Sequence, residues 1–296
     1  MSKEQLNAIL EMGAQNPPPV MEGPGAMRGW FEAMMEPTPV ADGIAVEPMT
    51  IAGHGCEFLR PAGAPEGKLI IYYHGGGFIF GSPRSHRVIA SNLARASGIT
   101  VLSAQYRMAP EHPYPAAHDD AFAVYRWVLE QGHAAGSVAL CGDSAGGNLA
   151  LGTAVRARDA GLPLPATLVL LSPALDFAHD GASHAEMADA PLVNLPFAEM
   201  FTAMYLGDGD RRDPGVAPLQ GDLSGLPPVQ VQVGSWEFLR DDSVTLVQRL
   251  KAAGGEAELT LWEGMCHNHQ LFAPFLEEGM ASIDSAGAFL RGHLKA

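Results

Sequence analysis

The sequence is poor in cysteine, in positive charge and in long apolar runs, and each shortage removes a class of protein. Its three cysteines, Cys56, Cys141 and Cys266, are odd in number and far apart. They argue against a disulfide framework and fit a reducing, cytoplasmic compartment. Against 33 Asp and Glu stand only 18 Lys and Arg, a formal net charge of −15. Neither nucleic acid nor an anionic membrane has a basic patch to bind, so both are disfavoured as partners. The acidity reads as a solubilising surface. No apolar run approaches the roughly 18 residues of a membrane-spanning helix. The opening residues, Met1-Ser2-Lys3-Glu4-Gln5-Leu6, lack the basic and then apolar pattern of a secretory signal. There is no C-x-x-C or H-E-x-x-H spacing to hold a metal, and no internal repeat.

What is present is an alternation of short apolar runs with helical patterns. Strands are expected near 44–51, 56–60, 68–73, 99–104, 137–141, 166–171, 229–233 and 257–262. Helices are expected near 84–97, 116–131, 145–159, 242–253 and 280–293. Repeated βα units with continuous apolar strands imply an α/β fold, a mostly parallel central sheet with helices on both faces. Between Phe177 and Leu226 the rhythm stops, and only a helix near 196–206 is expected. A long insertion after a sheet strand lies over the ligand crevice. The expected division is therefore a core of 44–177 and 213–296, with 1–43 and 178–212 forming a helical cap. A helix at about 26–36 carries Trp30, Phe31, Met34 and Met35 on one face; these either pack or line a substrate entrance.

The chemistry begins at Val138-Ala139-Leu140-Cys141-Gly142-Asp143-Ser144-Ala145-Gly146. It reads as strand, tight turn and helix, the setting in which G-x-S-x-G forms a nucleophile elbow with Ser144 at its tip. Acyl transfer by a serine also needs a base, an acid to orient that base, and donors for the oxyanion. Donors are offered by His74-Gly75-Gly76-Gly77, directly after an apolar strand, where glycine lets backbone N–H groups turn toward a bound oxygen. In hydrolases built on this elbow, acid and histidine follow the serine in the chain. Past the insertion three histidines satisfy that order: His267 and His269, in the loop after strand 257–262, and His293 in the terminal helix. Spacing leaves His267 and His269 even. For the acid, Glu237, Asp241 and Asp242 follow strand 229–233. The two aspartates stand where a helix begins, so capping accounts for one of them.

Three segments together, His74-Gly75-Gly76-Gly77, Tyr106-Arg107-Met108-Ala109-Pro110-Glu111-His112-Pro113 and Gly142-Asp143-Ser144-Ala145-Gly146-Gly147-Asn148, resemble the hormone-sensitive-lipase-like carboxylesterases, in particular the bacterial branch with the GDSAG elbow. The resemblance implies an α/β-hydrolase core with a cap, hydrolysis of short- to medium-chain acyl esters of small molecules, no cofactor and a homodimer. It makes Ser144 the nucleophile and gives the oxyanion hole to the amides of Gly76, Gly77 and Ala145. The family's G-M-x-H pattern falls on Gly264-Met265-Cys266-His267 and favours His267. Its acid falls on Glu237, where aspartate is usual, which keeps Asp241 as the alternative. The same set of residues serves an amidase or a deacetylase of a small acetylated metabolite. A binding protein without activity is the other alternative, but the family's plant hormone receptors lack the histidine that His267 supplies here.

Overall fold

The computed structural model describes residues 3–294; the first two residues of the expected 1–43 segment and the last two of 213–296 lie outside it. The chain opens with helices α1 (Lys3–Gln15) and α2 (Pro24–Met35). Met27, Phe31 and Met35 of α2 are buried at four-residue spacing, the stripe that turns one helix face inward. A hairpin follows, β1 (Ile44–Ile51) and β2 (His54–Pro61). Next come β3 (Leu69–Tyr73), α3 (Arg87–Ser97), β4 (Val101–Ala104), α4 (Ala116–Glu130), β5 (Val138–Asp143), α5 (Ala145–Asp159) and β6 (Thr167–Leu171). The stretch 178–212 carries α6 (Ala182–Glu186) and α7 (Leu195–Leu206) and no strand. The chain then completes β7 (Val229–Gly234), α8 (Arg240–Ala252), β8 (Ala257–Trp262) and α9 (Glu277–His293). Helix α6 went unforeseen because five residues hold barely more than one helical turn.

The eight strands form one sheet in the order β1-β2-β4-β3-β5-β6-β7-β8. The β1–β2 and β2–β4 pairs are antiparallel and the other five are parallel. This is the mostly parallel sheet expected from the strand pattern, and it fits the α/β-hydrolase core that the resemblance implies. Strands β3, β5 and β6 are buried throughout, which explains their unbroken apolar sequences. Alternate residues serve opposite faces. Ile71, Tyr73, Leu140 and Leu170 pack with α4, α5 and α8, whereas Ile70, Tyr72, Cys141 and Val169 pack with α3 and α9.

The parallel register decides where chemistry can gather. Asp143 at the end of β5 pairs with Leu171 at the end of β6, and Gly234 with Trp262 at the ends of β7 and β8. The loops after these four strands therefore open on one edge of the sheet.

Candidate active site

At the β5–α5 junction Ser144 has φ 52° and ψ −118°, a strained conformation for a residue with a side chain. The surroundings hold it there. The Ser144 N–H donates to the Leu171 carbonyl at 2.9 Å, and its own carbonyl accepts from Ala174 N at 3.1 Å and Asn148 N at 3.2 Å. The glycine two residues on is a packing requirement: a Cβ on Gly146 would lie 1.9 Å from the Tyr73 carbonyl oxygen. Asp143 ties the elbow to its neighbours. Its carboxylate accepts from the Tyr72 hydroxyl, from Gly75 N at 3.0 Å and from Asn268 Nδ2 at 2.6 Å. One buried side chain thus joins the elbow, the glycine loop and the histidine loop.

The glycine loop folds back on itself. Gly76, at φ 108°, accepts at its carbonyl from Ile79 N at 2.9 Å and Phe80 N at 3.1 Å. A Cβ there would meet the Phe80 carbonyl at 2.2 Å, so this turn needs glycine. The N–H groups of Gly76, Gly77 and Ala145 find no hydrogen-bond acceptor among the described residues. All three residues line the same cavity as Ser144. A developing oxyanion requires unpaired N–H donors beside the attacking oxygen.

His267, in the loop after β8, lines that cavity with Ser144. His269 does not: it is buried against Trp262, with ring centroids 5.7 Å apart, and burial pulls its imidazole down to about 3. His293 sits in the last turn of α9, away from the cavity. Behind His267, Nδ1 faces Oε1 of the fully buried Glu237 at 3.6 Å. Neither atom has another partner among the described residues. The second oxygen, Oε2, accepts from Ser172 Oγ at 2.9 Å and from Gly234 N at 3.2 Å.

The two aspartates after Glu237 are engaged elsewhere, and neither caps α8, whose N-cap position is Leu239. Asp241 accepts from Ser183 N at 2.9 Å and from Arg240 Nε at 2.9 Å. Asp242 accepts from Leu175 N at 2.7 Å and Asp176 N at 2.9 Å and lies 2.9 Å from His184 Nε2. Cys266, beside His267, is buried, and desolvation with the nearby Glu237 charge pushes its thiol up to about 12. It is a packed thiol without nucleophilic character.

The cavity measures about 170 Å³, below the roughly 300–1,000 Å³ of pockets for drug-sized ligands. Trp30, Phe31, Met34 and Met35 from α2 all line it. Leu192, Val193 and Phe201 of the 178–212 stretch line it too, with Phe80 and Phe272.

A family model described as the alpha/beta hydrolase fold matches residues 70–271. An acetyl-hydrolase of Streptomyces hygroscopicus is 44% identical over 244 residues, covering 82% of this chain and 81% of that protein. An esterase of Acinetobacter venetianus is 33% identical over 285 residues, 95% of this chain and 93% of that protein. The crystal structure of an esterase from the bacterial hormone-sensitive lipase family superposes with a TM-score of 0.94 at 40% identity, over the whole of both chains. The chain belongs to the bacterial hormone-sensitive-lipase family of α/β-hydrolases. As a member of that family it is a carboxylic ester hydrolase, and no helix among its described residues is long and apolar enough to cross a membrane.

For this α/β-hydrolase, reading the sequence alone overlooked two kinds of residue. Ser172, at φ 44° after β6, carried no signal beyond being a serine at a strand end. Leu192, Val193 and Phe201 were hidden in a stretch without strand periodicity; only the helical pattern at 196–206 pointed toward Phe201.

Proposed function

We propose that the chain is a serine esterase acting on short acyl esters, with Ser144 as nucleophile, His267 as base, Glu237 as the acid that orients it, and the amides of Gly76, Gly77 and Ala145 as the oxyanion hole. The observation that carries this reading is the shared cavity: the strained Ser144, His267 and three unpaired N–H groups line one small space. With Glu237 facing Nδ1, the imidazole proton belongs on Nδ1, leaving Nε2 bare to take the Ser144 proton. The hydroxyl oxygen then attacks the ester carbonyl, whose electron pair moves onto an oxygen held by the amides. The imidazolium, stabilised by Glu237, returns its proton to the leaving alkoxide, and an acyl-enzyme remains. Water, deprotonated by His267, repeats the attack, and the acid departs as Ser144 regains its proton. Asp241, bonded to Arg240 and Ser183, is left outside the machinery.

Residues 1–43 and 178–212 act on this reading as one cap over the strand ends, supported by the cavity-lining side chains that both segments contribute. The small cavity and the acetyl-hydrolase relative support short acyl groups. Three free, buried cysteines suit a cytoplasmic enzyme, and the family resemblance supports reading it as a homodimer. The test is Ser144→Ala in pure protein: turnover of p-nitrophenyl butyrate collapses and fluorophosphonate labelling disappears. Wild-type turnover by that variant would overturn the mechanism. A p-nitrophenyl ester series from C2 to C12 peaks at the short end; activity rising to C12 would contradict the small pocket.

A further inference from the structure

The motif Tyr106 to Pro113 has no part in the mechanism above, yet two of its residues, Ala109 and Glu111, meet a cap side chain at a revealing place. Arg28, on α2, reaches two backbone carbonyls and one carboxylate. Its Nε donates to the Ile79 carbonyl at 2.8 Å, its Nη2 to the Ala109 carbonyl at 2.8 Å, and both Nη atoms to Glu111, at 2.9 and 2.7 Å. Ile79 belongs to the turn that begins at Gly76, since Ile79 N donates to the Gly76 carbonyl. The neighbouring carbonyl of that turn, Phe78 O, accepts from Ala109 N at 2.9 Å. Two successive carbonyls of the glycine turn are therefore tied, one to Arg28 itself and one to a residue that Arg28 also binds. Glu111 completes the arrangement by gripping the guanidinium with both oxygens, a planar fork that lysine cannot reproduce. The hydrogen bonds from Arg28 hold the Glu111 carboxyl down near 2, so the pair is ionised across the working pH range.

We propose that Arg28 is a positioning residue for the oxyanion hole: it fixes the orientation of the Gly76 and Gly77 amides and makes the hole depend on the seating of cap helix α2. The peptide planes that carry these amides are set by the turn, and the turn is held from outside by the guanidinium. The same helix presents Trp30, Phe31, Met34 and Met35 to the cavity. Substrate pocket and oxyanion donors are thus assembled by one element. The assignment of the amides as a hole rests on the reading given under Proposed function.

Arg28→Ala tests it in the full-length enzyme. The expected result with p-nitrophenyl butyrate is a fall in kcat on the order of 10- to 100-fold, the scale of a misaligned donor, with little change in KM. Inhibition by a trifluoromethyl ketone, whose adduct carries the oxyanion, weakens by the same factor as kcat/KM. Added guanidinium restores part of the rate to Arg28→Ala and none to wild type. Arg28→Lys, a milder change that keeps the charge, falls between the two. Hydrogen exchange of the segment 76–80 speeds up in both variants. Wild-type kcat and unchanged exchange in both variants would overturn the proposal, as would a rise in KM alone, which would reduce Arg28 to a support for the pocket wall. Faster exchange in the variants, beside a wild-type protein that hydrolyses no ester, would leave the anchoring intact and sink the esterase reading instead.

Discussion

Two buried histidine–carboxylate pairs grow from the same segment after β7, and they differ in what they face. In the first, His267 and Glu237 stand 3.6 Å apart and His267 lines the cavity with Ser144. In the second, His184 and Asp242 approach to 2.9 Å, His184 is 3% exposed, and neither residue reaches the cavity. The second is the closer contact. It joins α6 to α8, and Asp242 also accepts two backbone N–H groups from the loop after β6. Closeness of histidine and carboxylate therefore does not mark catalysis; access of the imidazole to a nucleophile does. On the proposed mechanism the first pair moves a proton, while the second ties α6, in the 178–212 stretch, to α8 and the loop after β6.

The largest effect that separates the pairs is on rate. Glu237→Gln keeps the shape and removes the charge that orients His267, so kcat falls on the order of 10³- to 10⁴-fold, with thermal stability little changed. Asp241→Asn and Asp242→Asn leave kcat within about threefold of wild type. If Asp241→Asn loses more activity than Glu237→Gln, the acid has been misassigned. Stability reverses the order. His184→Ala leaves the buried Asp242 without its side-chain partner and costs about 3 kcal/mol in urea unfolding, near the lower end for a broken buried pair because two backbone amides still hold the carboxylate. Were His184→Ala as stable as wild type, the docking role would be lost.

A smaller effect sharpens the catalytic side. Ser172→Ala removes the donor that fixes Glu237 Oε2 and leaves the Gly234 amide as its remaining hydrogen bond. A hydrogen bond to a charged group contributes about 1.5–3 kcal/mol, and its loss here falls on the alignment of Oε1 with His267. The expected loss in kcat is roughly tenfold, carried mainly by kcat rather than KM. An unchanged kcat would mean that the Gly234 amide alone aims the carboxylate.

The unequal legibility of the two pairs has a physical cause. The elbow and the glycine loop announce themselves because backbone comes so close that side chains are excluded, as at Gly146 against Tyr73 O; such steric rules are written into consecutive residues. The sheet was legible for a similar reason, since strands buried on both faces must be continuously apolar. The choice of His267 over His269 needed the family pattern, because only the path of the loop turns one ring to the cavity and the other to Trp262. Asp242 was read as a possible helix cap, a local role, whereas its partners His184 and Leu175 lie far back in the chain. Ser172 and Arg28 act on groups equally distant in sequence. Nothing in the order of residues encodes such through-space contacts.

The smallest effect is a pH dependence confined to the docking pair. Burial works to lower His184, but Asp242 at Nε2, and Asp176 at 4.0 Å from Nδ1, outweigh burial and raise its imidazole above the ordinary 6.5. A raised value means that the folded state holds the proton more tightly than the unfolded chain. The stabilisation is therefore complete below about pH 6.5 and is lost as pH rises through the folded value. Burial also raises Asp242, against the pull of His184, and this has the same sign. His179, whose ring lies 5.2 Å from that of His184, is lowered by burial and by the His184 charge, and titrates in the opposite sense. It is paired with Glu199, which Arg211 holds in turn, while Asp241 is held by Arg240. The informative quantity is accordingly a difference: the unfolding free energy of wild type minus that of His184→Gln, measured from about pH 6 to about pH 9. That gap narrows as pH rises. A gap that stays constant or widens would mean that His184 is neutral in the folded protein, and the docking contact would then be a hydrogen bond rather than an ion pair.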